Sequence, residues 1–150
     1  MRTAYLSLGS NLGNREQHLA QALALLKSPE VRVLRQSRIL ETDPVGYLDQ
    51  PRFLNMAVEL ETSLFPKQLL RHCQRIETAL GRVRTFQNAP RTLDIDIILF
   101  GRSILALPGL EIPHPRFRER AFVLEPLAEL VPDLRDPVTG KSIRQLLQAL

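Results

Sequence analysis

The order of helical and extended patterns along the sequence predicts an α+β sandwich, in which a mostly antiparallel sheet carries both main helices on one face. Two segments with helical periodicity are separated by a pair of strand-like segments, and further strand-like segments stand before and after them. The resulting element order, β-α-β-β-α-β, is that of the ferredoxin-like arrangement. At 150 residues the chain has the length of one domain, residues 1–150, with a sizeable core.

The first predicted strand covers residues 3–9 and leads into a turn-rich G-S-N-L-G-N sequence. Asn14 is expected to cap a helix that runs to about Lys27, with leucines at helical spacing forming its buried stripe. The glycine turn lacks the lysine and the hydroxyl residue of a nucleotide P-loop. We therefore interpret it as a tight strand-to-helix turn rather than as a phosphate cradle.

A second strand is predicted from Val31 to about Glu41, followed by a long connection over residues 42–52 that contains two prolines and one glycine. Long ordered loops in compact domains are often functional. In the third strand, residues 53–60, apolar side chains alternate with a second face that begins with Phe53 and Asn55. A ring and an amide suit a flat heterocycle, although such a face is also compatible with ordinary surface.

The last strand of this series, residues 93–100, follows a helix from Pro66 to near Gly81 and a polar loop. Two acids, Asp94 and Asp96, interrupt its apolar sequence, and residues two apart on a strand point to the same face. On the opposite face we expect Leu93, Ile95, Ile97 and Leu99. Two like charges on such a strand require a neutralising partner, either an arginine or one or two divalent cations.

The remaining chain is predicted to add C-terminal elements to this sandwich. An irregular basic segment holds His114 between two prolines, and residues 123–130 are apolar. Residues 143–150 form a short amphipathic helical pattern. The sequence contains no repeat and no linker that would divide the chain.

The basic residues are mainly arginine: seventeen of the twenty, with a net formal charge of +4. Arginine suits bidentate recognition of phosphate and carboxylate, although genomic bias toward arginine accounts for most of them. Two clusters stand out in the sequence. One contains Arg82, Arg84 and Arg91, and the other contains Arg116, Arg118 and Arg120.

Composition also indicates where the protein works. No apolar run is long enough to span a bilayer, so no membrane association is expected. The single cysteine, Cys73, lies among apolar residues at helical spacing and is expected to be a packed core thiol. A cytoplasmic location is the expectation. We also expect a monomer, because no large apolar surface stripe remains once the helices and strands are packed.

The residue types around the acidic strand favour phosphoryl-type transfer. Mg²⁺ prefers oxygen ligands and is commonly held by one or two carboxylates together with substrate phosphates. The sequence has no cluster of Cys and His that would indicate zinc, and no G-x-S-x-G nucleophile motif. Carboxylates combined with arginines point instead to chemistry that depends on positioning and charge neutralisation.

The run A-P-R-T-L-D-I-D-I-I, together with G-S-N-L-G near the N-terminus, resembles the 6-hydroxymethyl-7,8-dihydropterin pyrophosphokinase family of folate biosynthesis. The similarity continues through F-L-N-M-A-V, R-I-E-x-x-L-G-R-V-R, I-P-H-P-R and E-R-A-F-V-L-x-P-L, over nearly the whole chain. It implies an ATP-dependent diphosphokinase with the ferredoxin-like fold. In the implied reaction the hydroxymethyl oxygen attacks the β-phosphorus of ATP, the pyrophosphoryl group moves as a unit, and AMP leaves. The resemblance also implies two Mg²⁺ ions held by Asp94 and Asp96.

The resemblance further implies which residues contact the two substrates. The pterin is expected to be read by a loop, hydrogen-bonded by an amide and sandwiched by two rings. These residues are Thr42, Val45, Gly46, Phe53, Asn55 and Phe122. The ATP-binding residues are expected to be Gln74, Glu77, Arg82, Arg84, Arg91, Ile97, His114 and Arg120. Among them, Arg82 and Arg91 are expected to stabilise transition-state charge and so to act as catalytic residues with the two aspartates.

The loop before the A-P-R motif departs from the family's pattern. The family often carries an aromatic residue, commonly Trp, beside a basic residue there, whereas residues 86–89 read F-Q-N-A and the loop is about one residue short. Phe53 replaces a frequent Tyr, which preserves stacking but loses a hydroxyl group. The sequence does not identify what closes the site on this side.

Each assignment has a plainer structural alternative. The two acids could form salt bridges with Arg91 and neighbouring arginines, and the two rings could be ordinary core residues. Glu77 could be a charge on the helix surface, and His114 could simply fix a turn.

Three other functional classes remain open to the same sequence. One is a ferredoxin-like domain that binds nucleic acid, one a metal-dependent phosphohydrolase or nuclease, and one a small-molecule-sensing domain without catalysis. A nucleic-acid partner is not expected, because the chain has only six Phe and two Tyr and lacks aromatics interleaved with basic residues on its central strands.

Overall fold

The computed structural model describes residues 1–83 and 86–150. Its elements are β1 (Arg2–Ser10), α1 (Arg15–Leu26), β2 (Val31–Gln36), β3 (Leu40–Thr42), β4 (Phe53–Thr62), α2 (Pro66–Ala79), β5 (Asp94–Phe100), β6 (Leu105–Leu107), β7 (Leu110–Ile112), a short 3-10 helix (Phe117–Glu119), α3 (Ala121–Leu130) and α4 (Ile143–Gln148). The predicted β-α-β-β-α-β order with C-terminal additions is confirmed. Within the described ranges, no helix is both long and apolar enough to cross a membrane.

The main sheet is antiparallel and has β1 at its centre. β1 pairs with β4 on one side and with β5 on the other. β2 pairs with the far edge of β4, and β3 continues along the same edge. The strand order β2-β4-β1-β5 is the order of a ferredoxin-like sheet, as the sequence predicted. β6 and β7 form a separate two-stranded ribbon.

Both main helices pack on one face of this sheet, as predicted. The side chain of Asn14 accepts a hydrogen bond from the backbone N–H of Gln17 at 3.1 Å, which confirms the predicted N-cap of α1. Cys73 lies fully buried among the apolar residues of this face, and burial raises the pKa of its thiol to about 12. The cysteine is therefore an unreactive core residue.

The other face of the sheet is covered at one end and open at the other. The 3-10 helix, α3 and α4 cover one end of it, with Phe117, Leu124 and Ile143 packed against Tyr5 and Ala57. The prediction recognised the apolar C-terminal segments but gave them no place on the sheet. What stays uncovered is the end where β1, β4 and β5 carry polar residues or glycine.

A β-bulge at Ile98 corrects the predicted facing of the acidic strand. Tyr5 pairs with Leu99 while its neighbour Leu6 pairs with Ile97, so Ile98 is the extra residue. Leu99 therefore packs with Tyr5 on the face of the two aspartates, not with Leu93 and Ile95 as strict alternation predicted. A single inserted residue exchanges the faces of everything that follows it in the strand.

The predicted second strand is also divided into two. Ser37 interrupts it because its hydroxyl group accepts the hydrogen bond of the Ala57 backbone N–H at 2.8 Å, in place of a backbone carbonyl. The backbone N–H of Ser37 still donates to the carbonyl oxygen of Ala57 at 2.9 Å. Pairing resumes at Leu40, opposite Asn55, which brings β3 to the open end of the sheet.

Candidate active site

The open end of the sheet forms a cavity centred on Gly9. Gly9 pairs with Asn55 on β4 and with Asp94 on β5, so it lies between the amide and the first carboxylate. A methyl group on Gly9 would lie 3.0 Å from the Asn55 Oδ1 atom and 3.5 Å from the Phe53 ring. Only glycine leaves this floor open, and the sequence analysis did not single out this residue although it belongs to the G-S-N-L-G motif.

The cavity collects most of the residues predicted for the pterin together with the acidic pair. Its volume is about 40 Å³, enough for only a few water molecules. It is lined by Ser7, Gly9, Thr42, Asp43, Val45, Phe53, Asn55, Asn88, Arg91, Asp94, Asp96, Arg120 and Phe122. Gly46 lies beside this lining, in contact with Asn88. We call this cavity the slot, and little of it is empty.

Asn55 lies on the floor of the slot, where a hydrogen bond fixes its side chain. Its side chain is 4% exposed, and its Nδ2 atom donates a short hydrogen bond to the hydroxyl group of Thr42. The bond joins β4 to the end of β3, so the loop that follows Thr42 begins at a fixed point. The Asn55 Oδ1 atom faces the space above Gly9, where it can accept a hydrogen bond from a ligand.

An arginine lies over each of the two rings that were predicted to sandwich the pterin. The Cζ atom of Arg91 lies 4.6 Å from the centroid of the Phe53 ring. The Cζ atom of Arg120 lies 5.5 Å from the centroid of the Phe122 ring. Cation–π contacts of this kind explain why so little of the slot is empty.

Arg82 is fixed by two carboxylates. Its Nη1 atom lies 2.7 Å from Glu77 Oε2 and 2.7 Å from Asp94 Oδ1. Burial by itself lowers the pKa of Arg82, but Asp94 and Glu77 together raise it above its ordinary value. The guanidinium group therefore stays charged beside the acidic strand.

Glu77 is not a surface charge, the plainer alternative that the sequence left open. It is 4% exposed, and its Oε2 atom also accepts the backbone N–H of Ile95 at 2.8 Å. It links α2 to β5 and orients Arg82. Gln74, which was assigned to the same helix face, is instead exposed on α2 and lies outside the cavity. Arg84 lies outside the residues that the structure describes.

Arg91 lies near the two aspartates, but they do not occupy all of its hydrogen-bond donors. Its Nη1 atom donates to the carbonyl oxygen of Ala89 at 2.6 Å, and its Nε atom lies 3.5 Å from Asp94 Oδ2. The Nε atom is buried and has no hydrogen-bond partner within residues 1–83 and 86–150. Burial, the largest cause, lowers the pKa of Arg91. The side chain thus retains donor capacity for an incoming anion.

Among the acids of the site, Asp96 has the fewest contacts that neutralise its charge. Burial, followed by the neighbouring charge of Asp94, raises the pKa of Asp96 well above its ordinary value. Across the described part of the chain, no group of three or more His, Cys, Asp and Glu residues could hold a metal ion by itself. Two carboxylates on one strand face fit Mg²⁺, which takes its remaining ligands from water and substrate phosphates.

A second, more open groove of about 370 Å³ lies along the outer edge of β5. Two residues predicted for ATP, Ile97 and His114, line it together with Asp96, Leu70 and Leu110. Burial and then the charge of Arg120 lower the pKa of His114 to about 4, so its imidazole is neutral at physiological pH. Because Asp96 faces both spaces, the two cavities meet at the acidic strand.

Three loops around the cavity are joined by a polar contact that the sequence analysis missed. Asn11 is 1% exposed; its Nδ2 atom donates to Gln50 Oε1 at 2.8 Å, and its Oδ1 atom accepts the backbone N–H of Arg91 at 2.8 Å. The rings of Tyr47 and Phe86 also meet edge to face, with centroids 5.1 Å apart. These contacts connect the loops on the side where the family's aromatic and basic residues are missing.

The comparisons with known proteins agree with this geometry. Residues 5–132 match the model of the family described as 7,8-dihydro-6-hydroxymethylpterin-pyrophosphokinase. A Bacillus subtilis protein named 2-amino-4-hydroxy-6-hydroxymethyldihydropteridine pyrophosphokinase is 51% identical over 143 residues, which cover 95% of this chain and 86% of the relative. A Pseudomonas aeruginosa protein of the same name is 46% identical over 150 residues, covering 99% of this chain and 92% of the relative.

Solved structures show the same fold at low sequence identity. A crystal structure of Plasmodium falciparum HPPK-DHPS superposes with a TM-score of 0.80 at 17% identity, covering 99% of this chain. The chain spans 45% of the length of that structure, which therefore supports the fold alone. Together with the match to the family model and the identity to the bacterial relatives, this shows that the chain belongs to the 7,8-dihydro-6-hydroxymethylpterin-pyrophosphokinase family.

Proposed function

We propose that this chain transfers the pyrophosphoryl group of MgATP to the hydroxymethyl group of 6-hydroxymethyl-7,8-dihydropterin and releases AMP, as a step of folate biosynthesis. The names of the bacterial relatives support this activity. The main observation in favour of this activity is that the slot and the groove meet at the acidic strand. A ring-and-amide slot lies on one side of Asp96, and an open groove lies on the other.

The slot suits the pterin because it combines stacking with hydrogen bonding. Phe53 and Phe122 provide two ring faces, and Asn55 provides a buried amide between them. A polar heterocycle loses its water on binding, so its donors and acceptors must be met inside the site. Thr42, Val45 and Gly46 form the loop beside this slot and supply backbone groups for the edge of the ring system.

The groove suits the nucleotide. Ile97, Leu70 and Leu110 offer apolar surface for a purine, and the neutral imidazole of His114 offers a hydrogen-bonding group. The triphosphate would then extend toward the acidic strand and the arginines.

Asp94 and Asp96 would hold two Mg²⁺ ions. When bound, Mg²⁺ neutralises the triphosphate and lowers the pKa of the substrate hydroxyl group. The two carboxylates stand on one strand face, at the position where the slot and the groove meet. Arg82 already pairs with Asp94, so this placement accounts for Asp96, the acid of the pair that has no such partner.

Arg82 and Arg91 would balance the charge that develops on the transferred group. Arg82 is preorganised by Glu77 and Asp94, so little rearrangement is needed when the phosphates arrive. Arg91 contributes an Nε donor that makes no hydrogen bond to the described residues. Both Arg91 and Arg120 have to leave the ring faces of Phe53 and Phe122 before a pterin can occupy them.

The test is an assay with purified protein, ATP, Mg²⁺ and the reduced hydroxymethylpterin, with the nucleotides resolved by chromatography. We expect AMP to form in amounts equal to the pterin diphosphate. A pterin that carries a methyl group in place of the hydroxymethyl group is the matched control, because it fits the slot but offers no attacking oxygen. AMP released with that control, or ADP as the product, would show a phosphohydrolase or a different kinase instead.

A further inference from the structure

Asn88 has an unusual backbone conformation beside the pterin slot. Among the residues that the structure describes, it is the one non-glycine residue with a positive φ angle, 59°. Asparagine tolerates this left-handed conformation better than most residues, and such positions are concentrated at functional sites. The segment that contains Asn88 is also the one in which the sequence departs from the family's pattern.

Two neighbours hold Asn88 in place. The Nε2 atom of Gln50 donates a hydrogen bond to the Asn88 carbonyl oxygen at 2.9 Å, and the same Gln50 side chain is anchored to Asn11. On the other side, a methyl group placed on Gly46 would lie only 2.4 Å from the Asn88 Nδ2 atom. The carboxamide therefore lies directly on Gly46, in the loop predicted to read the pterin.

The half-buried Asn88 side chain is available to a ligand at the cavity. Asn88 lines the same space as Phe53 and Asn55. No hydrogen bond joins its side chain to any residue within 1–83 or 86–150, whereas the amide of Asn55 is bonded to Thr42. An amide offers both a donor and an acceptor, which matches the alternating donors and acceptors on the edge of a pterin.

We propose that Asn88 is a further pterin-binding residue, whose carboxamide hydrogen-bonds the polar edge of the heterocycle from the loop side of the slot. This inference rests on the proposed function of the same site. It gives a role to residues 86–89, the segment that differs from the family's pattern. This loop lacks the family's aromatic and basic residues, and it contributes a hydrogen-bonding group to substrate recognition instead.

The test compares Asn88→Gly with Gln87→Gly. Glycine at position 88 keeps the left-handed backbone and removes only the carboxamide, whereas alanine would add strain. Gln87 is exposed in the same turn and does not line the cavity, so Gln87→Gly introduces the same backbone freedom without touching the ligand. Calorimetric titration of the reduced hydroxymethylpterin, in the presence of Mg²⁺ and a non-hydrolysable ATP analogue, gives the Kd for each protein.

Loss of one hydrogen bond to the ligand is expected to raise the pterin Kd of Asn88→Gly about tenfold, while the Kd of the nucleotide analogue stays unchanged. Gln87→Gly is expected to bind the pterin like the wild type. A pterin Kd for Asn88→Gly within twofold of the wild type would overturn the inference, and so would equal weakening in both variants. If the wild type itself binds no pterin, the proposed function fails, which is a separate result from the loss of this one contact.

Discussion

Asp96 and Asp136 are two aspartates whose surroundings are opposite: Asp96 is half-buried and lines the cavity, whereas Asp136 is fully buried. Asp136 is 0% exposed and sits in the turn between α3 and α4. Arg118 contacts both of its oxygens, at 2.5 and 3.0 Å, and the hydroxyl group of Thr139 donates to it at 2.7 Å. Burial by itself raises the pKa of Asp136, but these hydrogen bonds lower it to about 2.

Asp96 has no such set of donors. Burial and the charge of Asp94 raise the pKa of Asp96, and no hydrogen bond from the described residues reaches its carboxylate. Donors within the chain offset the cost of burying the Asp136 charge, whereas the half-buried Asp96 carboxylate lacks such donors and is left available to a cation. The contrast identifies Asp136 as a structural acid and supports the proposed role of Asp96 as a cation ligand.

Replacing Asp96 with alanine should have the largest effect on activity. Asp96→Ala is expected to lower kcat by about 10³-fold or more, because the metal-bound triphosphate loses one of its two protein carboxylates. The measurement is AMP formation at saturating substrates, with circular dichroism as the check on folding. Asp136→Ala is the matched control: it should unfold more easily yet keep its kcat at a temperature where it is folded. Unfolding of Asp96→Ala at room temperature would contradict the comparison.

Arg82, which pairs with Asp94 on the acidic strand, and Arg118, which pairs with Asp136, should differ in the same way. Arg82→Ala is expected to reduce kcat about 10²–10³-fold, which corresponds to about 2.7–4 kcal/mol of barrier. Arg118→Ala, which frees Asp136, should leave kcat within about twofold and lower the unfolding temperature instead. Both are measured by steady-state kinetics and thermal unfolding of the same preparations. Equal loss of kcat in the two variants would mean that Arg82 acts only through the stability of the fold.

The acid stability of the protein should depend on Asp136. Its pKa in the folded state lies below its unfolded value, so the stabilisation is complete above pH 4 and is lost as the pH falls through about 2. Asp136→Asn is expected to lose about 2 kcal/mol of unfolding free energy at pH 7 and to show a flatter dependence on pH below 4. Denaturant unfolding between pH 2 and 7 measures both. An unchanged pH dependence would show that Arg118 and Asp136 do not stabilise each other.

The smallest expected effect is a gain in stability. The pKa of Asp96 is higher in the folded state than in the unfolded chain. Ionisation of this group therefore destabilises the fold as the pH rises above the pKa of the unfolded state. Asp96→Asn should therefore raise the unfolding temperature of the ligand-free protein by about 2–4 °C, equivalent to about 1 kcal/mol. MgATP should stabilise the wild type more than this variant. Thermal unfolding with and without MgATP gives both quantities, and a lower unfolding temperature for Asp96→Asn would contradict the assignment.

Sequence periodicity predicted much of the fold because it reports which side of each element is buried. The N-cap at Asn14, the alternation of β4 and the core position of Cys73 follow from local patterns. Long-range events left no such pattern. The bulge at Ile98 is set by pairing with β1, and the break at Ser37 depends on a hydrogen bond to β4.

The candidate site was predictable where a residue type is unusual for its element. Acids on an apolar strand and an amide on a buried face are conspicuous in the sequence. Glycine and loop residues are not, so Gly9 and Asn88 were missed. The closure of the slot by Arg91 and Arg120 could not be predicted either, because arginines separated along the chain meet the rings only in three dimensions.

The pairing of Gly9 with both Asn55 and Asp94 has a consequence for how this site tolerates change. Neighbouring strands lie about 4.8 Å apart, so two strand spacings place the backbones of these two residues roughly 9–10 Å from each other. Hydrogen bonds of the sheet set this separation, and the surrounding loops do not. Changes in the length or composition of these loops should therefore leave the separation of Asn55 and Asp94 unchanged.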